Sequence, residues 1–292
     1  MTKRRLTALL VLAATACAVS ADVTIEKDGD KLTSVKLTSS KGGILIQKKL
    51  WGNTVVTSES GKTWRVIDPF MYSSHARPPD GRDLGGYWSK PEVFETWKVE
   101  EVKDPDRAEA TIVRIAAEQP ELPLRKEAAI AVEADRNVAY VQSRLSALDD
   151  VHELTSDRQT IYLYKPGERY TIWADGKEIV PEDGLKLKVD RYMLFQDKRD
   201  GTSTAVVFLP RSAQKYPGSS KAPLGLIYFY IDEKRNGADC YWHKGGGKMA
   251  QGDTRVQKYV LVWGDGDLRQ MVEELAKQAQ AGELNEKIPE LP

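Results

Sequence analysis

The sequence predicts an all-β fold: a large antiparallel two-sheet sandwich, or super-sandwich, with one C-terminal α-helix. Three observations carry this. Short runs in which apolar and polar residues alternate recur from residue 31 to residue 263, and successive side chains of a strand point to opposite faces. Turn-forming pairs such as Asp28-Gly29, Asp175-Gly176 and Asn236-Gly237 separate the runs and suit the positive φ angles of tight hairpins. A helical apolar period appears once with clear boundaries, after residue 267. Strand–helix alternation and a fixed repeat period are both missing from the sequence, which sets aside a parallel α/β sheet and a propeller.

The chain opens with Lys3, Arg4 and Arg5, an apolar run from Leu6 to Ala16, and the small residues Val19-Ser20-Ala21. This is the three-part pattern of a secretory signal. The run is shorter than the roughly 20 residues that span a bilayer. Residues 1–21 are therefore set aside, and the protein is expected to be exported, periplasmic or extracellular. Cys17 offers a second reading, because Ala14-Thr15-Ala16-Cys17 resembles a bacterial lipobox, which would make a membrane-anchored lipoprotein with its lipid on Cys17.

The sandwich is expected over residues 22–266. Its strand candidates are 31–37, 43–50, 53–57, 62–67, 96–102, 108–117, 124–134, 137–147, 159–164, 170–174, 185–195, 203–209, 224–231 and 255–263. Alternation is clearest in Thr111-Ile112-Val113-Arg114-Ile115 and across Val138–Leu145. Residues 170–180 read as one hairpin turning at Asp175-Gly176. Leu226-Ile227-Tyr228-Phe229-Tyr230-Ile231 is apolar throughout; it reads either as a strand covered on both faces or as one with an aromatic outer face. The helix is expected over 267–282. Asp267 with Gln270 three residues on fits an N-terminal capping box, Leu268, Met271, Val272, Leu275 and Ala279 share a face, and Gly282 is a stop. Residues 283–292 read as a loose tail.

Composition narrows the function classes. The chain carries 43 basic and 43 acidic residues. Without the three basic residues of the signal it is slightly acidic, which argues against a nucleic-acid partner. Cys240 would be alone in the mature chain, so no internal disulfide is expected. About 270 residues are enough for a core without such staples.

Three places give the chain a likeness to a known family. Lys41-Gly42-Gly43-Ile44-Leu45 stands where a first sheet would begin. Asp83-Leu84-Gly85-Gly86-Tyr87-Trp88 precedes Trp97-Lys98-Val99. The long paired runs 124–134 and 137–147 are followed by 159–164. In this order of events the chain resembles the galactose-mutarotase-like super-sandwich, found in many carbohydrate-active proteins, over residues 23–265. The resemblance implies a carbohydrate partner, poly- or oligosaccharide, and no cofactor. Mutarotases of this family use two histidines and a late glutamate. This sequence has three histidines and no late strand that presents an obvious glutamate, so sugar epimerisation is not implied.

The richest candidate segment is residues 68–91, since long sandwich loops commonly bind ligands. Its catalytic candidates are Tyr72, His75, Arg77, Arg82 and Tyr87. In a polysaccharide lyase an arginine would neutralise a uronate carboxylate while a tyrosine or histidine removes the neighbouring proton. Trp88 and Lys90 are candidate substrate contacts. The same residues also read as a polar surface loop shaped by Pro78-Pro79 and Gly81. His152 and Arg158, further candidate substrate contacts, lie in a second charged stretch, 149–158, which reads alternatively as a solvated turn. Trp242 and His243 are also candidate substrate contacts that could line a pocket; they precede Gly245-Gly246-Gly247, read as a flexible hairpin tip, and Trp88 and Trp242 are expected to be the exposed tryptophans. No metal site has recognisable ligand spacing. The expected function is an exported carbohydrate-binding or carbohydrate-processing sandwich; the alternative is a non-enzymatic cell-envelope protein that docks a partner.

Overall fold

A computed structural model describes residues 22–28, 31–47, 54–66, 73–77, 98–102, 110–119, 123–215, 224–232 and 235–292. The signal segment with Cys17 lies outside the described residues. The strands, in chain order, are β1 (Asp22–Asp28), β2 (Lys31–Ser39), β3 (Gly42–Gln47), β4 (Thr54–Thr57), β5 (Thr63–Val66), β6 (Ser73–Arg77), β7 (Lys98–Val102), β8 (Ala110–Gln119), β9 (Leu124–Glu133), β10 (Val138–Ala147) and β11 (Val151–Tyr164). After the single-turn helix α1 (Pro166–Arg169) come β12 (Tyr170–Ala174), β13 (Lys177–Ile179), β14 (Lys186–Val189), β15 (Tyr192–Asp197), β16 (Thr202–Phe208), β17 (Gly225–Ile231), β18 (Asn236–Met249) and β19 (Thr254–Asp265), followed by α2 (Arg269–Ala281).

All pairings between these strands are antiparallel. A nine-stranded sheet, in the order β13-β12-β15-β16-β19-β10-β9-β8-β7, forms one layer. Opposite it stand two five-stranded sheets, β1-β2-β3-β4-β5 and β14-β17-β18-β11-β6. The expected second sheet is thus divided in two. Both halves bury their inward residues in one core with the inner face of the large sheet: Val35, Ile44 and Val56 from the first, Ile161, Ile227 and Phe229 from the second, and Val141, Leu261 and Phe195 from the large sheet. Trp64 of β5 stacks on Tyr170, with ring centroids 5.2 Å apart, and so ties the first small sheet to the large one.

Helix α2 packs on the opposite, outer face, placing Val272, Leu275 and Ala279 against Val207, Val260 and Val262. Met271 is on the exposed rim of that face. The capping box does not form. Asp267 accepts the Arg269 N–H at 2.9 Å, one residue before the expected geometry, because the helix begins at Arg269. The stop is where the sequence places it: Gly282 has φ 82°, its N–H bonds to the Ala279 carbonyl, and Glu283 N–H bonds to Gln278, which closes the last turn.

Several sequence expectations change. Asn236-Gly237, read as a turn pair, begins β18, with Gly237 paired to both Tyr164 and Tyr230; the chain turns just before it, where Asp232 N–H bonds to the Arg235 carbonyl. Residues 185–195 are two strands, β14 and β15, in different sheets; the Asp175 carboxylate accepts the N–H groups of Asp190, Arg191 and Tyr192 and holds the corner between them. The glycines 245–247 are not a hairpin tip but belong to β18, with Gly245 opposite Asp157 and Gly247 opposite Leu154; the turn falls at 250–253 instead. Residues 151–158, weighed as a charged turn, belong to the long strand β11. The tail is docked: Ile288 is buried, Lys258 Nζ donates to Glu290 at 2.6 Å, and Arg144 donates to the Pro292 carbonyl at 2.6 Å. Among the described residues no helix is long and apolar enough to cross a membrane.

Candidate functional site

Inward positions of a sandwich strand ordinarily carry apolar side chains. Three neighbouring strands of the large sheet break this pattern at one end of the core. Along β19, Arg255, Gln257 and Tyr259 occupy the inward positions that Leu261 and Trp263 continue. Register sets Gln257 beside Ser143 on β10, and places Arg255, Leu145 and Lys126 in the next row across β19, β10 and β9. Every one of these polar residues is buried.

From the facing sheet, Gln159 of β11 reaches into the cluster. Its Nε2 donates to Ser143 Oγ at 2.7 Å and to Tyr259 Oη at 3.1 Å. Burial pushes the Tyr259 phenol above its ordinary pKa, with the hydrogen bonds from Ser143 and Gln159 acting the other way. The hydroxyl therefore stays protonated at neutral pH. Gln257 differs from its neighbours. It is fully buried, and neither its Nε2 nor its Oε1 has a hydrogen-bond partner among the described residues. A buried amide left unbonded costs about 1–3 kcal/mol, so a group that supplies both an acceptor and a donor beside it would be stabilised there.

The strands that frame this cluster carry several of the residues singled out in the sequence. All three histidines lie on adjacent strands of the facing sheet: His75 on β6, His152 on β11 and His243 on β18. His75 is opposite Ser156, and Arg77 opposite Glu153. Arg158 is opposite Ser73 and immediately precedes Gln159. His243 follows Trp242, which is opposite Gln159. Backbone register thus brings His75, Arg158 and His243 to one stretch of three strands, whereas His152 stands exposed near the start of β11. Tyr72, Arg82, Tyr87, Trp88 and Lys90 lie outside the described residues.

Trp242 corrects the sequence reading. It is not an exposed ring but is 0% exposed, packed edge-on to Tyr259 with centroids 5.4 Å apart and beside Phe208 at 6.5 Å. β18 is an interior strand of its sheet, so Ala238, Cys240 and Trp242 point into the core. Burial also raises the Cys240 thiol well above its ordinary pKa, which suits a packing residue rather than a nucleophile. Sequence reading missed Gln257, Ser143, Gln159, Lys126 and Arg255. The available signal was a strand, 255–263, whose two faces both read as acceptable exteriors at its first half.

A concavity of about 190 Å³ opens on the other side of the large sheet, where Arg114, Arg125 and Glu127 meet Leu291 and Pro292. Its charges are paired with one another, Arg114 to Glu100 at 3.3 Å and Arg125 to Glu127 at 3.2 Å.

No protein-family model matches the chain, and no curated protein matches it in sequence. Solved structures do match it in fold. The GH36 α-galactosidase AgaA of Geobacillus stearothermophilus, an A355E D478A variant with stachyose, aligns with TM-score 0.54 and 12% identity over 85% of this chain and 43% of that one. The GH36 α-galactosidase AgaB of the same organism aligns with TM-score 0.53 and 11% identity, over 85% and 42%. A candidate aldose 1-epimerase from Klebsiella pneumoniae subsp. pneumoniae aligns with TM-score 0.52 and 10% identity, over 89% and 87%. The chain spans about two fifths of the galactosidase chains and most of the epimerase-like one. Nineteen antiparallel strands among the described residues, the divided second layer and these alignments give the chain the galactose-mutarotase-like β-sandwich fold.

Proposed function

We propose that this protein binds carbohydrate between its large sheet and the β14-β17-β18-β11-β6 sheet. The observation that carries this is Gln257, buried with neither end of its amide bonded among the described residues, in a row of polar side chains where the fold calls for apolar ones. Sugar hydroxyls offer paired donors and acceptors that an amide, a phenol and a serine hydroxyl can meet at once. The likeness of the fold to sandwich regions of galactosidases and of an epimerase-like protein supports the same reading. Ser143, Gln159 and Tyr259 form the pre-set part of the site, and Lys126 and Arg255 lie in the next row.

The processing version of this function is a polysaccharide lyase. An arginine, Arg77, Arg82 or Arg158, neutralises a uronate carboxylate. His75, Tyr72, Tyr87 or His243 takes the adjacent carbon-bound proton as the bond to the leaving sugar oxygen breaks, leaving a carbon–carbon double bond, and the leaving oxygen takes a proton from a second of these groups or from water. His75, Arg77, Arg158 and His243 lie on adjacent strands of the β14-β17-β18-β11-β6 sheet, which supports it. Trp88, Lys90 and His152 are left as outer contacts for the remaining sugars. Export completes the reading, because polymer substrates of this kind lie outside the inner membrane. Mass spectrometry of the mature N-terminus is expected to find cleavage after Ala21; lipid on Cys17 would make the protein membrane-anchored, and an intact Met1 would remove export.

The test of the site is Gln257→Leu, with sugar binding followed by calorimetry on hits from a glycan array. Replacing an unbonded buried amide by an apolar side chain of similar size removes that cost, so the variant is expected to be at least as stable as the native protein. Binding is expected to weaken by about five- to tenfold for each ligand hydrogen bond lost, since such a bond is worth roughly 1–1.5 kcal/mol. Unchanged binding in the variant, or no glycan bound by the native protein, refutes the proposal. Conjugated double bonds appearing in oligouronide products would separate catalysis from binding.

A further inference from the structure

We propose that the outer face of the β14-β17-β18-β11 strands is a second carbohydrate surface, one that docks a neutral polysaccharide, separate from the inter-sheet site. The strand 225–231 resolves the two readings open at the sequence level in favour of an aromatic outer face. Ile227 and Phe229 are fully buried, while Tyr228 and Tyr230 are only partly buried. β11 repeats the pattern, with Ile161 and Leu163 inside, Tyr162 partly buried and Tyr164 54% exposed.

Register arranges these four tyrosines as a square. Tyr162, Asp239, Tyr228 and Lys186 form one row across β11, β18, β17 and β14, and Tyr164, Gly237 and Tyr230 form the next. Gly237 is required by the closeness of the rings. A Cβ there would lie 2.5 Å from Tyr162 Oη and 2.8 Å from the Tyr230 ring, so the two rings lean over the glycine. Their centroids are 6.3 Å apart at 28°, and Tyr228 lies 5.9 Å from Tyr230. The result is an aromatic surface carried by β11 and β17, two strand spacings or about 10 Å apart, longer than a single sugar ring.

Polar groups are set into this surface rather than only around it. Asp239 lies between Tyr162 and Tyr228, 3.5 Å from Tyr230 Oη. Lys186 Nζ stands 4.8 Å from the Tyr228 centroid. Arg235 lies 5.3 Å from the Tyr230 centroid and is paired with Asp232 at 2.9 Å. The carboxylate and the ammonium of the central row offset each other, which suits an uncharged ligand. They also offer one acceptor and one donor within reach of neighbouring hydroxyls, while aromatic rings take the apolar C–H faces of sugars. A protein partner would call instead for a depleted-charge apolar centre, and here the centre holds Asp239.

The test is affinity electrophoresis of the full chain through gels containing galactomannan, with polygalacturonate as the charged comparison. Galactomannan is expected to retard the native protein, and Tyr228→Ala to raise the dissociation constant at least tenfold. Tyr164→Ala, whose ring is more than half exposed and whose loss leaves the core intact, is expected to raise it severalfold with an unchanged melting temperature. Equal retardation of native and variant chains overturns the proposal, as does no retardation, or retardation by polygalacturonate alone. A concentration-dependent dimer abolished by the tyrosine variants, without galactomannan binding, would assign the face to a second copy of the chain.

Discussion

Trp242→Ala is expected to lower the unfolding free energy by about 3–5 kcal/mol, the cost of emptying a large aromatic site in a packed core. The ring is fully buried, sits beside Phe208 and Tyr259, and lies on β18, whose register with β11 sets Gln159 in place. In thermal unfolding this corresponds to a fall of roughly 10 °C. Urea denaturation followed by tryptophan fluorescence measures it directly. An exposed tryptophan of the kind the sequence suggested would change stability by no more than about 0.5 kcal/mol. A loss that small would mean that the ring does not occupy the core.

The second large effect is at Asp197. Burial by itself would raise the carboxyl pKa, but hydrogen bonds from the Arg199 side chain and backbone and from Arg169 outweigh it and hold the group below its usual 3.8. Arg169 Nε and Arg199 Nη2 both donate at 2.9 Å. A carboxylate whose folded pKa is depressed stabilises the fold above its unfolded value. That contribution fades as pH falls below about 4 and through the folded value. Asp197→Asn is therefore expected to cost about 2–3 kcal/mol at neutral pH, the range for hydrogen bonds to charged groups. The difference from the native protein should shrink as the solution is acidified. Because Arg169 also lies over the Tyr170 ring, 5.0 Å from its centroid, and Tyr170 stacks on Trp64, the loss should loosen the docking of the first small sheet. Stability curves that stay parallel from pH 7 to pH 3 would show that Asp197 does not hold this charge.

The candidate site was half legible in the sequence. Clusters of histidine and arginine drew attention to His75, Arg77, Arg158 and His243, and the strands carrying them prove to be adjacent. Their adjacency was hidden because β6 and β18 reach β11 from opposite sides and from opposite ends of the chain. β6 itself was hidden within a segment rich in proline and glycine. Gln257, Ser143 and Lys126 carried no signal, since a polar residue in an alternating strand reads by default as facing water.

By itself the sequence determined much of the local structure, namely most of the strand runs, one tight hairpin and the end of the last helix, but not β6, the division of 185–195 or the turn at 250–253. The hairpin at Asp175-Gly176, with φ of 51° and 89°, and the stop at Gly282 follow from backbone preferences that need no distant partner. Tertiary structure decided which face of each strand is inside. Alternation has a period of two and is unchanged when inside and outside are exchanged; only the sheet stacked above breaks that symmetry. That is why Trp242 is buried, why the tyrosines of β17 face outward, and why polar residues of β9, β10 and β19 lie sealed between sheets.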